Sequence, residues 1–200
     1  KPSSRSPTKI KRNATVRNKG KIKGALAGKI LRVDLSTGEI RTEASEGYAE
    51  RTLGGRGTNS LIMLNEIEPG TGWSDPGNLL CFGAGSLVGT AAPGACRTDV
   101  SSINVFNGGK GSANVGGSWG AELKYAGFDN IVIRGKAERP VYLLVIDGHV
   151  EIRDASRLWG KTTYETENLL RQELGDERIE IAAIGPAGEN RVRSRLRHGG

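Results

Sequence analysis

The sequence predicts an α+β domain of paired mixed or antiparallel β-sheets with short helices. Three observations lead there. Short segments alternate apolar and polar residues, as half-buried strands do. Turn signals at Ser36-Thr37-Gly38 and Asp147-Gly148 join consecutive strands as hairpins. The helical stretches stand singly among the strands, without the regular alternation that builds a parallel wound sheet. Glycine supplies 30 of the 200 residues, about twice its usual share and too many for a helical bundle. The 36% of hydrophobic residues is enough for one packed domain. No repeat of fixed period is present.

Ordered structure is expected to begin at Gly28. Lys29–Leu35 reads as a strand, and Glu39–Arg41 begins its return. Residues 46–53 read as a helix that stops at Gly54-Gly55, and residues 58–66 as a second helix closed by Pro69-Gly70. Asn78–Phe82 is a short apolar strand. Residues 83–120 are mostly Gly, Ala, Ser and Asn, with one strand expected at Asp99–Val105. A helix over 119–126 follows, with Ser118 as N-cap and Gly127 as the residue that ends it. Ile131–Arg134 and Val141–Ile146 read as strands, and the turn at Asp147-Gly148 leads into His149–Arg153. Thr162 and Glu165 form a capping box for a helix ending at Gly175. Glu180–Ile184 reads as another strand, and residues 185–190 as an ordered loop.

Charge and cysteine content narrow the function classes. The formal net charge is +7, but it is concentrated at the two ends. Residues 1–28 hold nine Lys/Arg and residues 191–200 hold four, and neither segment holds an acid. The body between them is mildly acidic, so the high isoelectric point is no argument that the folded domain binds nucleic acid. No aromatic stacking platform accompanies the charges either. Residues 1–27 read as a basic, disordered arm. Residues 28–190 read as the domain. Residues 191–200 read as an atypical Arg-rich tail, consistent with a truncation or a frame change. No run of 18 apolar residues suggests a membrane span, and no secretory leader is expected. Two cysteines, Cys81 and Cys96, exclude a disulfide framework and a four-cysteine cluster within this chain.

Familiar catalytic motifs fail when tested. Gly160-Lys161-Thr162 has the end of a phosphate-binding P-loop, but Ala155 stands where its first glycine belongs. Gly109-Lys110-Gly111 continues to Asn114, so the dinucleotide fingerprint is not met. No G-x-S-x-G elbow occurs, and neither His149 nor His198 has a second metal ligand at helical spacing. No catalytic or metal-ligating residue is therefore assigned. Three glycine-rich stretches with fixed polar groups stand out instead: 53–59, 92–99 and 112–120. Glycine lets the backbone approach a ligand and turn its N–H groups toward anionic oxygens. Arg97 offers a planar fork suited to phosphate. These features point to a phosphorylated, heteroatom-rich ligand; the alternative is that the glycines only serve tight turns.

Taken together, GKILRVDLSTGEI, LGGRGTN, the Gly/Ala loop with Arg97, GGSWGAELKYAGFDNIVIRGKAERPVYL, EIRDASRLWGK and IAAIGPAGEN resemble, in this order, the N-terminal domain of the aldehyde ferredoxin oxidoreductase family. The resemblance covers roughly residues 28–190. It implies an α+β base domain carrying a tungsten or molybdenum atom on the dithiolenes of two pterin phosphates. It implies a [4Fe–4S] cluster, bound by later domains, that passes electrons to ferredoxin. The implied reaction turns an aldehyde and water into a carboxylate with release of two electrons, in a cytoplasmic and often homodimeric enzyme. By motif, Arg97 resembles the arginine that contacts a pterin phosphate. Asn114 and Gly116 resemble the polar and backbone contacts of the next pterin loop, with Val115 and Gly117 as their neighbours.

The chain also departs from that pattern. A second pterin loop rich in Arg, Ala and Gly is expected after GPAGEN, and RVRSRLRHGG stands instead. The cluster cysteines and catalytic acid and histidine belong to later domains, so the fragment alone is expected to be inactive. Neither Cys81 nor Cys96 resembles a cluster ligand. The alternatives carried forward are the base domain of a related aromatic acyl-CoA reductase, a gene fragment without function, and, with least support, a basic nucleic-acid-binding module.

Overall fold

The computed structural model describes residues 25–192. Its centre is a six-stranded sheet formed by β1 (Lys29–Asp34), β2 (Glu39–Ala44), β3 (Leu79–Ala84), β4 (Thr98–Ile103), β5 (Lys110–Val115) and β6 (Asn130–Arg134). The spatial order is β2-β1-β6-β3-β4-β5. All pairings are antiparallel except β1 with β6. A separate two-stranded sheet joins β7 (Val141–Ile146) to β8 (His149–Asp154). The mixed-sheet α+β fold predicted from the sequence is the fold observed.

Strand alternation explains how both faces of the large sheet are used. On one face, Ile30, Leu79, Cys81, Ile103 and Val132 pack against Ile62 and Met63 of helix α2 (Gly55–Glu66). Helix α1 (Glu46–Thr52) precedes α2 and lends Tyr48 to the same cluster. On the other face, Leu31, Val33 and Ile131 meet Phe128 and Leu123, the latter from helix α3 (Trp119–Tyr125). Leu143, Val145, Val150 and Ile152 of the hairpin cover that same cluster. A satellite cluster of Ala155, Leu158 and Leu170 lies under helix α4 (Thr163–Leu174), with Ile179 and Ile181 packed against it.

Most polar side chains inside the fold are paired, Thr98 Oγ1 and Arg171 Nε being exceptions among the described residues. Arg32 donates to both oxygens of Glu66, each at 2.7 Å, and to Glu43 at 2.6 Å. Burial depresses the Arg32 pKa, but the bonds to Glu66 and Glu43 outweigh it and raise it overall. Asp129 accepts from the N–H groups of Ala27 and Gly28 and from Ser45 Oγ, at 2.9, 2.8 and 2.6 Å. It thereby ties the entry of the chain to the sheet. Lys124 lies 3.6 Å from Asp129; its burial lowers its pKa more than Asp129 raises it.

Several local expectations need correction. Helix α2 starts at Gly55, three residues earlier than its sequence pattern suggests, and takes up much of the first glycine-rich stretch. Residues 110–115 form strand β5 where a ligand loop was expected. Glu180–Ile184 forms no strand, having no pairing partner among the described residues. Residues 185–189 form helix α5 (Gly185–Glu189), not a loop, with Pro186 in its first turn. Ser118 does occupy the N-cap of α3, but its hydroxyl donates to Glu180 at 2.7 Å and does not cap the helix. The capping box of α4 is present in both directions, with Glu165 N–H on Thr162 Oγ1 and Thr162 N–H on Glu165. Of the basic arm, residues 1–24 lie outside the described residues, as do residues 193–200 of the Arg-rich tail.

Candidate anion-binding corner at the open edge of the sheet

The five residues singled out from the sequence come together at one corner. Arg97 immediately precedes β4, and its neighbour Thr98 pairs with Val115 at the end of β5. Gly116 therefore lies beside Arg97. A Cβ built on Gly116 would stand 3.6 Å from an Arg97 terminal nitrogen, so the guanidinium lies across the bare face of that glycine. Gly117 follows with φ of +84°, a conformation that an L side chain strains to adopt. Asn114 sits opposite Asp99 in the register. Arg97, Asn114, Val115 and Gly117 are exposed and Gly116 is half-buried.

The donors at this corner have no partner among the described residues. Among the described residues, neither the Arg97 guanidinium nor the Asn114 amide makes a hydrogen bond or ion pair, and the backbone N–H groups of Gly116, Gly117 and Ser118 have no acceptor. β5 is also the edge strand, so part of its backbone faces outward. A guanidinium beside three consecutive free N–H groups is the donor set that an anionic oxygen takes. A Cβ at 116 would only touch the Arg97 guanidinium at ordinary van der Waals distance, so glycine here leaves the face open without being sterically required.

Beneath this corner lies a buried charge network that sequence reasoning missed. Asp99 is only 3% exposed. Its carboxylate accepts from Asn59 Nδ2 at 3.0 Å, from Arg56 Nε at 3.1 Å, and from the hydroxyls of Ser101 and Ser112. Burial pushes the Asp99 pKa up, but those hydrogen bonds outweigh burial and hold it below the ordinary carboxylate value. Asn59 in turn accepts from Asn130 Nδ2 at 2.9 Å. Gly83 makes room for the network: a Cβ there would come within 2.6 Å of Asn130 Nδ2 and 2.8 Å of Asn59 Oδ1. The available signal was two opposite charges, Arg56 and Asp99, inside two of the glycine-rich stretches.

The cysteines lie apart in character. Cys81 is fully buried, and burial pushes its thiol up to about 12, which suits a structural role. Cys96 is exposed. Among the described residues no group of three or more His, Cys, Asp or Glu is arranged to hold a metal ion, and no helix is long and apolar enough to cross a membrane.

The fold defines the class: an α+β domain built on a mixed sheet, with guanidinium and N–H donors at one edge that have no partner among the described residues. Residues 30–196 match the family profile described as aldehyde ferredoxin oxidoreductase, N-terminal domain, and the chain belongs to that family. A tungsten-containing aldehyde ferredoxin oxidoreductase from Pyrococcus horikoshii is 48% identical over 167 residues, which cover 83% of this chain and 28% of that protein. The WOR-like subunit of an aliphatic sulfonate oxidoreductase from Pyrococcus furiosus is 37% identical over 187 residues, covering 84% of this chain and 29% of its own length. Among solved structures, the active-site complex BamBC of benzoyl coenzyme A reductase with 1,5-dienoyl-CoA superposes with a TM-score of 0.82 at 45% identity. That likeness covers 84% of this chain and 26% of the solved one. The chain thus spans a little over a quarter of the length of these relatives.

Proposed function

We propose that this domain is the base on which a bis-pterin cofactor of tungsten, or of molybdenum, rests in a larger oxidoreductase. The observation that carries the reading is the Arg97 guanidinium lying over Gly116, next to the N–H groups of Gly116–Ser118, all of them without a partner among the described residues. This donor set fits the phosphate of a pterin. Arg97 would pair with its oxygens, Gly116 and Gly117 would offer N–H groups, and Asn114 and Val115 would line the approach. Such a cofactor, when bound, supplies two-electron redox chemistry at its metal. The part of this chain is to hold and orient it, and to place positive charge where the phosphate sits. The complete enzyme would oxidise an aldehyde to a carboxylate with ferredoxin as electron acceptor, and other domains would hold the [4Fe–4S] cluster that supplies electron transfer. We assign that enzyme to the cytoplasm, as a homodimer.

The test is cofactor retention. In the complete enzyme, Arg97→Gln is expected to reduce the pterin and tungsten recovered per chain several-fold, since charge-assisted contacts to phosphate are the strong ones. Unchanged pterin content in a folded Arg97→Gln enzyme would remove this residue from the site. The likeness to benzoyl coenzyme A reductase supports a second reading, reduction of an aromatic acyl-CoA thioester. Assaying the complete enzyme with an aldehyde and with an aromatic thioester separates the two.

A further inference from the structure

The first turn of α2 brings a second guanidinium to the corner that Arg97 occupies. Gly54 forms an antiparallel bridge with Gly85, and Gly85 N–H donates to the Arg97 carbonyl at 3.3 Å. Across this end of the sheet the chain order is therefore Gly54, Gly85, Arg97, Gly116, with neighbours about 4.8 Å apart. Gly83 and Gly85 leave β3 without side chains here, and Arg56 reaches past β3 to Asp99, two residues from Arg97. The Arg56 Nε–Asp99 contact uses one of the five guanidinium donors. Both terminal nitrogens of Arg56 have no partner among the described residues, and its side chain is 58% exposed.

The geometry of that pair indicates what the free nitrogens are for. An arginine serving only Asp99 would gain most from meeting both carboxylate oxygens with its fork. Here Asn59 and Ser101 occupy Asp99 Oδ2. Arg56 engages Oδ1 through Nε alone and keeps its fork outward, on the sheet face that Asn114 shares. Two arginines against one carboxylate leave the corner positive. We infer that Arg56 is a second anion-binding residue of this site, presenting its terminal nitrogens to an oxygen of the same phosphorylated ligand that meets Arg97. The inference rests on the platform reading proposed above, and Asp99 acts through it as a positioning residue.

The experiment uses the complete enzyme prepared without tungstate, titrated with inorganic phosphate against chloride at matched ionic strength. The readout is protection from thermal unfolding, and pterin per chain is measured in a parallel preparation with tungstate. Arg56→Gln is expected to raise the half-protecting phosphate concentration about tenfold. It should also lower pterin content, and the phosphate-free unfolding midpoint falls as well, because Asp99, 3% exposed, loses its one charged donor among the described residues. The tenfold change is therefore read relative to each variant's own phosphate-free midpoint. Arg56→Lys should recover only part of the loss, having charge without the fork. If Arg97→Gln weakens phosphate protection and Arg56→Gln does not, the role of Arg56 is overturned and the platform stands. If Arg56→Gln lowers the phosphate-free midpoint and leaves the phosphate response intact, Arg56 is a clamp and the inference fails. If Arg97→Gln changes neither phosphate protection nor pterin content, the platform reading itself fails.

Discussion

Asp99 is a buried carboxylate whose charge is spread over four donors from α2, β4 and β5. Its pKa is lower in the folded chain than in the unfolded one. The unfolded state therefore binds the proton more readily, and the stability Asp99 contributes is full above the ordinary carboxylate value near 4. That contribution is lost as pH falls through the lower folded value. Asp99→Asn is expected to destabilise the domain by about 2 kcal/mol or more at pH 7, since Arg56 and two hydroxyls lose a charged acceptor. It should also flatten the acid limb of a denaturation series taken between pH 6 and 3; an unaltered acid limb would exclude this role. Gly83→Ala tests the same network sterically. Its Cβ would meet the Asn130 and Asn59 side chains and the Gly55 carbonyl together, the last a backbone atom of α2 that cannot swing away. Overpacking of this kind costs about 1–3 kcal/mol, readable by urea denaturation. At this scale Arg97 and Gly116 were singled out from two separate glycine-rich stretches of the sequence, and the β4–β5 register sets them side by side. The Arg56–Asp99 pair was not, because it joins positions 43 residues apart that only the docking of α2 brings together.

Among the elements, those with a strong local signal were legible and those that depend on a neighbour were not. The α4 helix carries a complete capping box and ends at Gly175 with φ of +67°. Thr162→Ala should cost about 1 kcal/mol and fray the first turn of α4, visible as faster amide exchange at its N-terminal end. No change in exchange there would mean that packing on Ala155 and Leu158 alone holds the helix. Strand β5 gave no such signal: KGSANV has a single β-branched residue, and the strand exists because β4 offers it an edge. Residues 180–184 present the converse. Their short apolar run suits a strand, and Ile181 does pack on the α4 cluster, but among the described residues no strand lies alongside to complete the ladder. The early start of α2 has a similar origin. Gly54 and Gly55 have positive φ, and their turn sits against Gly85, a contact invisible in sequence pattern.

For the whole molecule, the order of strands matters more than their number. β1 and β2 are adjacent in sequence, yet β1 also pairs in parallel with β6, Ile30 against Asn130 and Asp34 against Arg134. β6 is also the partner of β3, so it joins the two halves of the sheet. On a ribosome, the first hairpin emerges a hundred residues before the strand that completes its inner edge. Until then Leu31 and Val33, covered in the finished fold, lack Phe128 and Ile131 of their core cluster, and Ile30 lacks Val132. Closure over so long a loop is entropically slow, and the exposed strand edge invites pairing with other chains. Stalled nascent chains should therefore remain open to protease at residues 29–44 when the emerged segment stops before residue 130. They should become resistant once it passes residue 134, making β6 the checkpoint of biosynthesis for this domain.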